Sequence, residues 1–370
     1  MTGYDLAIVG GGIVGAACAL EATLAGLKVA LIEAAIVGGG ATAAGMGHIV
    51  VMDDSEPQFA LTQYSQRLWQ QMSVHLPAEA EYMTCGTIWV AADDQEMAEV
   101  RRKADYYTQR GVLVDVLDAH LLADAEPNLR GGLAGGLLVS ADGVVYPPVV
   151  ARWLLEQAKT RGATCYVGLA AQSISDHAVT LIDGTIIQAA AAVNALGVWS
   201  PSLTPGLNVQ KRKGHLVITD RYPDYVRHQL VELGYLTSAH GSSADSVAFN
   251  VQPRHTGQIL IGSSRQYGVE SANDDPVMVE RMLSRAFHYM PSLAALSALR
   301  VWTGFRAATP DKLPLIGLAA GHDSLYLATG HEGLGITTCL GTAKLLIDQL
   351  LNRAPEIPVE PYLPTRMLHG

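Results

Sequence analysis

A chain of 370 residues with a net charge of −10 at neutral pH lacks the basic stripe that nucleic-acid phosphates require. Its length predicts about two domains, and 49% apolar residues against 16% charged ones allow large buried cores. The 37 glycines predict many tight turns and close backbone approaches.

The N-terminus shows no secretory signal pattern, and no apolar run reaches the length of a membrane span. The best run, 186–198, is interrupted by Asn194 and Gly197. Peripheral membrane association is compatible with this. Cys18, Cys85, Cys165 and Cys339 are far apart and form no CxxC pair. They read as reduced, mostly core thiols of a cytoplasmic protein, and no metal or iron–sulfur site built by this chain alone is expected.

In chain order, Tyr4–Val9 reads as a buried parallel strand. Gly10, Gly12 and Gly15 then form G-x-G-x-x-G, with Ile13 and Val14 at the start of an alanine-rich helix that Gly26 can end. Residues 28–32 form a second strand that stops at Glu33. Gly10 allows the turn, Gly12 lets the backbone approach a pyrophosphate, and Gly15 lets helix and strand pack closely. The helix N-terminus offers free N–H groups to phosphate, and Glu33 is placed for a ribose diol. This unit reads as a dinucleotide site without separating NAD from FAD.

Residues 34–50, AAIVGGGATAAGMGHIV, are small and nearly without bulk, which suits backbone wrapped around an extended cofactor. Ala34, Ala41, Thr42, Gly45, Met46, Gly47 and His48 are its candidate contacts. Residues 94–110 read as an amphipathic helix. Asp118 caps a short helix that ends before Pro127, and 147–161 is a helix with proline in its first turn. Thr164–Val167 follows as a strand.

Residues 188–200 read as a buried strand running into a glycine turn, which brings Ala195, Gly197 and Trp199 forward. Residues 213–219, 247–252 and 258–263 read as strands, and Pro276–Tyr289 as a helix. Residues 324–338 give a strand, a turn containing Gly330, His331, Glu332, Gly333 and Leu334, and a helix starting near Gly335 and Ile336. The tail from Pro355 reads as extended on the surface.

The first motif, GATAAGMGH, NALGVWS, PRHTGQILIGSSR, GFRAATPDKLPLIG and ATGHEGLGI occur in the order found in the D-amino-acid oxidase-like FAD enzymes, which the chain resembles over almost its whole length. That group includes glycine and sarcosine oxidases and the FAD subunits of heteromeric amino-acid dehydrogenases. The run ATAAGMGHIVVMDDSEPQFALTQYSQ is most similar to the D-hydroxyproline dehydrogenase type, alongside opine oxidase and hydrogen cyanide synthase.

The resemblance implies an α/β fold: a Rossmann-like FAD domain (1–80, 140–205, 300–370) with an inserted α+β substrate domain (81–139, 206–299) carrying a mostly antiparallel sheet. It implies non-covalent FAD, since no cysteine stands near GFRAATP. Ala171 and Gly304 join the candidate cofactor contacts.

Oxidising an amino acid at a flavin breaks Cα–H. Hydride goes to N5 and the amine becomes an imine, so the protein must fix the carboxylate, orient Cα and exclude water. Arg306 matches the family's carboxylate-binding arginine, and a guanidinium fork suits a planar carboxylate. His48 could approach the ring face, and Asn250 and Glu332 are candidate substrate contacts. Asn250 replaces a family tyrosine, which makes that corner more polar. Arg265 reads as a surface salt bridge, and Lys211 and Arg212 as a solvated basic stretch.

The resulting expectation is an FAD-dependent dehydrogenase of a small D-amino or imino acid, cis-4-hydroxy-D-proline first. Its electrons would pass to a partner subunit bearing iron–sulfur or a second flavin. The alternatives are a self-sufficient, peroxide-forming oxidase and a non-catalytic flavoprotein subunit.

Overall fold

The computed structural model describes residues 3–234 and 245–369. An eight-stranded sheet has the parallel strand Tyr4–Val9 at its centre. Ile186–Asn194 and then Leu325–Thr329 lie to one side of it, and Val29–Glu33 and Thr164–Val167 to the other. Leu315–Leu318 closes one edge in antiparallel register. From Leu6 to Val9 the central strand is an unbroken apolar run because both of its faces are covered there.

Helices Ile13–Leu24, Pro147–Thr160 and Gly335–Leu350 bury one face of this sheet around Leu6, Ile8, Leu154 and Leu346. Pro147 and Pro148 stand in the first turn of their helix, as read from the sequence. Helix Asp94–Gln109 is capped by Asp93, and Asp118 accepts from the N–H groups of His120 and Leu121.

A second eight-stranded sheet runs in the order Ala298–Ala308, Gln210–Arg221, Gln258–Tyr267, Ser246–Pro253, Gln229–Glu232, Thr87–Ala91, Gly135–Val139, Val114–Asp118. All its pairings are antiparallel except Gln229–Glu232 with Thr87–Ala91. Helix Pro276–Tyr289 covers one face, where Tyr289 stacks on Phe249 with ring centres 4.6 Å apart. The expected α/β fold with a mostly antiparallel second sheet is what the chain adopts.

The extended surface tail is corrected. Residues Glu360–Tyr362 and Pro364–His369 form 3-10 turns. Tyr362 is 1% exposed and its hydroxyl donates to Pro57 O at 2.6 Å, while Arg366 forks onto Asp311. An aromatic ring among the prolines supplies enough apolar surface to hold the segment down.

Candidate active site

One cavity of about 840 Å³ begins at the carboxyl ends of the parallel strands and runs beneath the second sheet, the place where open α/β sheets bind ligands. Every candidate residue named above for cofactor or substrate lines it except Gly15 and Gly330. Gly15 acts from behind: a Cβ there would overlap the Gly10 carbonyl, so the bare residue lets helix Ile13–Leu24 close on the first strand. Gly330, at φ +79, faces Thr309 instead.

At the near end Gly10 has φ +115, and a Cβ on it would meet Ala195 O at 2.5 Å. No side chain caps the following helix from Gly12, but Thr42 Oγ1 accepts from Ile13 N at 3.0 Å and ties the glycine loop to that helix end. Glu33 ends the second strand, its carboxylate accepting from Gly11 N at 2.7 Å and Ala35 N at 2.8 Å. Helix Gly335–Leu350 also starts without a side-chain cap, at Leu334, and its first residues line the same cavity. Two positive helix ends thus meet one space.

The loop read as flexible wrapping holds a short helix, Gly40–Ala44, and the strand pair His48–Ile49 with Gly143–Val144. Its small residues are a packing requirement. A Cβ on Gly45 would stand 2.6 Å from Ile336 Cδ1, and one on Gly304 would collide with Ala44. The loop is pressed between a strand of the second sheet and the last helix.

Arg306 belongs to strand Ala298–Ala308, and its Nη1 donates to Ser264 O at 3.0 Å. The guanidinium crosses Gly214, and Gly333 leaves room for its aliphatic stem. His48 is half-buried with Nε2 enclosed and lacking a hydrogen-bond partner among the described residues. Burial, aided by Arg306, lowers its pKa to about 4, so the ring is neutral at physiological pH. His215 is fully buried. Asp275 N donates to its Nε2, which leaves Nδ1 as the donor to Ser264 Oγ.

Glu332 does not orient His331, whose Nε2 meets Thr342 Oγ1 at 3.0 Å and whose pKa burial lowers to about 4. Glu332 instead forms a buried ion pair with Arg212, 7% and 4% exposed at the side chain. This corrects the solvated reading of Arg212. Lys211, next to it, does face outward and pairs with Glu270. Burial raises the pKa of Glu332, opposed by Arg212, Arg265, Arg306 and Lys312 in turn. Arg265 lines the cavity rather than only the surface.

Sequence reading missed Trp89, Gln229, Gly214 and Arg212. They carry no motif and reach the cavity only through strand register.

The cavity fits FAD on its own terms: a glycine turn on a helix end, a carboxylate at the second strand's tip, and a continuous space onward to Arg306. Among the described residues no cysteine lines it, none of the His, Cys, Asp and Glu groupings could hold a metal, and no helix is long and apolar enough to cross a membrane.

Known proteins agree with that fit. The glycine oxidase of Geobacillus kaustophilus is 27% identical, with 98% of this chain and 97% of the relative aligned. The hydrogen cyanide synthase subunit HcnC of Pseudomonas aeruginosa is 25% identical over 98% and 96%. The crystal structure of the Geobacillus kaustophilus glycine oxidase superposes with a TM-score of 0.88 at 26% identity, covering 99% of each chain. The L-proline dehydrogenase from P. horikoshii shares the fold with a TM-score of 0.88 at 20% identity, covering 100% of this chain and 98% of that one. The sequence profile of the FAD dependent oxidoreductase (DAO) family matches residues 5–349, and the chain belongs to that family.

Proposed function

We propose that this chain oxidises the Cα–N bond of a small D-amino or imino acid to the imine, with cis-4-hydroxy-D-proline as the first substrate to test. The observation that carries this is Arg306: a fixed cation on the wall of a cavity whose far end suits a dinucleotide. Its fork would take the substrate carboxylate. FAD, bound non-covalently, supplies the two-electron acceptor for the Cα–H bond. Neutral His48 would lie against the reacting centre without adding charge, and Asn250 would meet the substrate's polar edge. The Arg212–Glu332 pair would hold the turn before the last helix in place.

The strands also support a domain division of 1–80, 140–205 and 300–370 for cofactor and 81–139 and 206–299 for substrate. The first sheet's strands fall in the first set and the second sheet's in the second, apart from Ala298–Ala308, which straddles the boundary.

The names of the glycine oxidases support dioxygen as acceptor, while HcnC, named as a subunit, supports transfer to a partner. Anaerobic addition of cis-4-hydroxy-D-proline to the yellow holoprotein tests the reading, and bleaching of the flavin is expected. Admitting air then separates the acceptors. Prompt peroxide formation marks an oxidase, whereas dye reduction without peroxide marks a dehydrogenase that needs a partner. Absence of bleaching with any small amino acid overturns the proposal.

A further inference from the structure

The cavity wall opposite the dinucleotide end contains polar atoms that the chain itself does not satisfy. Trp89, Gln229 and Asn250 line it and are 2%, 1% and 7% exposed. Among the described residues, Trp89 Nε1, Gln229 Oε1 and Asn250 Oδ1 are buried without a hydrogen-bond partner. Gln229 is fixed from its other end, where Nε2 donates to Thr87 Oγ1 at 2.7 Å.

Register gathers the three. Val231 pairs with Trp89 on one side and with Asn250 on the other, and Gln229 lies two residues along the same strand face. They therefore surround Val231, which also lines the cavity. Each buried, unsatisfied polar group costs about 1–3 kcal/mol. Three in one small patch need a ligand or water to complete them. The set holds one N–H donor and two amide ends, and none of the three side chains is charged. It therefore selects a neutral group that both accepts and donates.

We infer that the substrate carries such a group, a hydroxyl being the smallest, on the part of its skeleton remote from the carboxylate, and that Trp89, Gln229 and Asn250 read it. The indole N–H would donate to the hydroxyl oxygen, and an amide carbonyl of Gln229 or Asn250 would accept its proton. This rests on the reading that Arg306 holds the carboxylate. Asn250 lies on the second strand away from Gln210–Arg221, which carries Gly214 beneath that guanidinium. Two strand spacings are about 10 Å, and the reach of the side chains narrows this to the length of a small imino acid. An apolar ring would bury the three polar atoms unpaired.

The test uses holoenzyme and matched pairs: cis-4-hydroxy-D-proline against D-proline, and D-serine against D-alanine. The reading is the slope of the anaerobic flavin-reduction rate against substrate concentration. A site built to bond a hydroxyl rejects the analogue lacking it, so the wild-type ratio should be at least about tenfold within a pair. In Asn250→Leu and Gln229→Met, checked for retained FAD colour, that ratio should fall toward one. A wild-type ratio near one in both pairs sinks the inference while leaving amino-acid oxidation intact. So does a ratio that neither substitution changes. Failure of all four compounds to bleach the flavin removes the oxidation reading and this inference with it.

Discussion

Gly214 and Arg306 are built around each other: a Cβ on Gly214 would stand 2.9 Å from Cζ of Arg306, and closer still to Nη1. The two residues sit on neighbouring strands, in a register that pairs Gly214 with Gly304 and Arg212 with Arg306. The guanidinium can lie over the strand only because no side chain rises there. Gly214→Ala should therefore push the fork aside at little cost in folding, since what yields is the end of a flexible side chain. FAD content and melting temperature should stay near wild type, while kcat/KM falls by about 10–100-fold, the scale of a roughly 1 Å misplacement. An unchanged kcat/KM would mean that substrate does not use this pose of Arg306.

Replacing the arginine itself separates charge from geometry. Arg306→Ala should keep FAD bound and weaken substrate binding by about 2–5 kcal/mol, as expected for one half of a desolvated charge pair. Arg306→Lys restores a point charge but not two parallel donors, so it should recover only part of the loss. Titrating flavin perturbation with a non-reactive carboxylate, such as acetate, reads binding without turnover. Equal affinity in all three proteins would remove the carboxylate role.

The opening residues were legible because their physics is local. A strand, three glycines, a helix and an acid within 33 residues predict a phosphate cradle, and the structure sets Gly10, Gly12 and Glu33 along one end of the cavity. Arg306 was singled out through its resemblance to a known pattern, and it stands on the cavity wall. Arg212 was not: in KRKGHL it reads as one of three adjacent cations. Period-two alternation turns it inward, toward a carboxylate 120 residues away, while Lys211 faces solvent. Trp89 and Gln229 were hidden for the same reason, because long-range strand pairing decides which residues share a cavity face. The tail misled through its prolines, which say nothing about where Tyr362 docks.

The Arg212–Glu332 pair invites a double-mutant cycle. Each single substitution, Arg212→Met or Glu332→Met, leaves its partner's charge buried and should destabilise the fold by about 3–5 kcal/mol. The double substitution should cost less than the sum by a coupling of about 1–3 kcal/mol, measured by urea unfolding. Additive losses would show that the two charges are held by other groups.

Asp142 predicts a pH effect on stability. It is fully buried, with Oδ1 accepting from Val51 N at 3.2 Å and Gln66 Nε2 at 2.8 Å, and Oδ2 without a hydrogen-bond partner among the described residues. Burial raises its pKa from 3.8 to about 7. Between these values the folded chain holds a proton that the unfolded chain releases. This group's contribution to stability is therefore greatest below about pH 4 and is lost as pH rises to 7. The loss amounts to about 1.4 kcal/mol per pH unit at most and roughly 4 kcal/mol in all. Asp142→Asn keeps the shape without the ionisation, so its stability relative to wild type should increase steadily from pH 4.5 to 7.5 in denaturant titrations. A constant difference across that range would show that the carboxyl does not titrate as burial demands.

The second and third glycines of the first motif should fail in different ways when given a methyl group. On Gly12 a Cβ would stand 3.4 Å from Thr42 Oγ1, an ordinary contact, with the rest of its surroundings open cavity. On Gly15 it would overlap the Gly10 carbonyl and come within 3.4 Å of the Ala195 side chain, in packed interior. Gly12→Ala should therefore fold as well as wild type without cofactor, yet bind FAD at least about tenfold more weakly, because the methyl occupies the line along which a pyrophosphate approaches the helix end. Gly15→Ala should lower the melting temperature of the apoprotein itself, since helix and strand must separate by about 1 Å to clear a Cβ that would otherwise stand 1.9 Å from the Gly10 carbonyl oxygen. Melting both apoproteins and titrating them with FAD checks the pair. If Gly12→Ala retained full affinity, the pyrophosphate would have to lie elsewhere than over this turn. If Gly15→Ala left the apoprotein's melting unchanged, the close helix–strand packing would contribute nothing that the chain cannot replace.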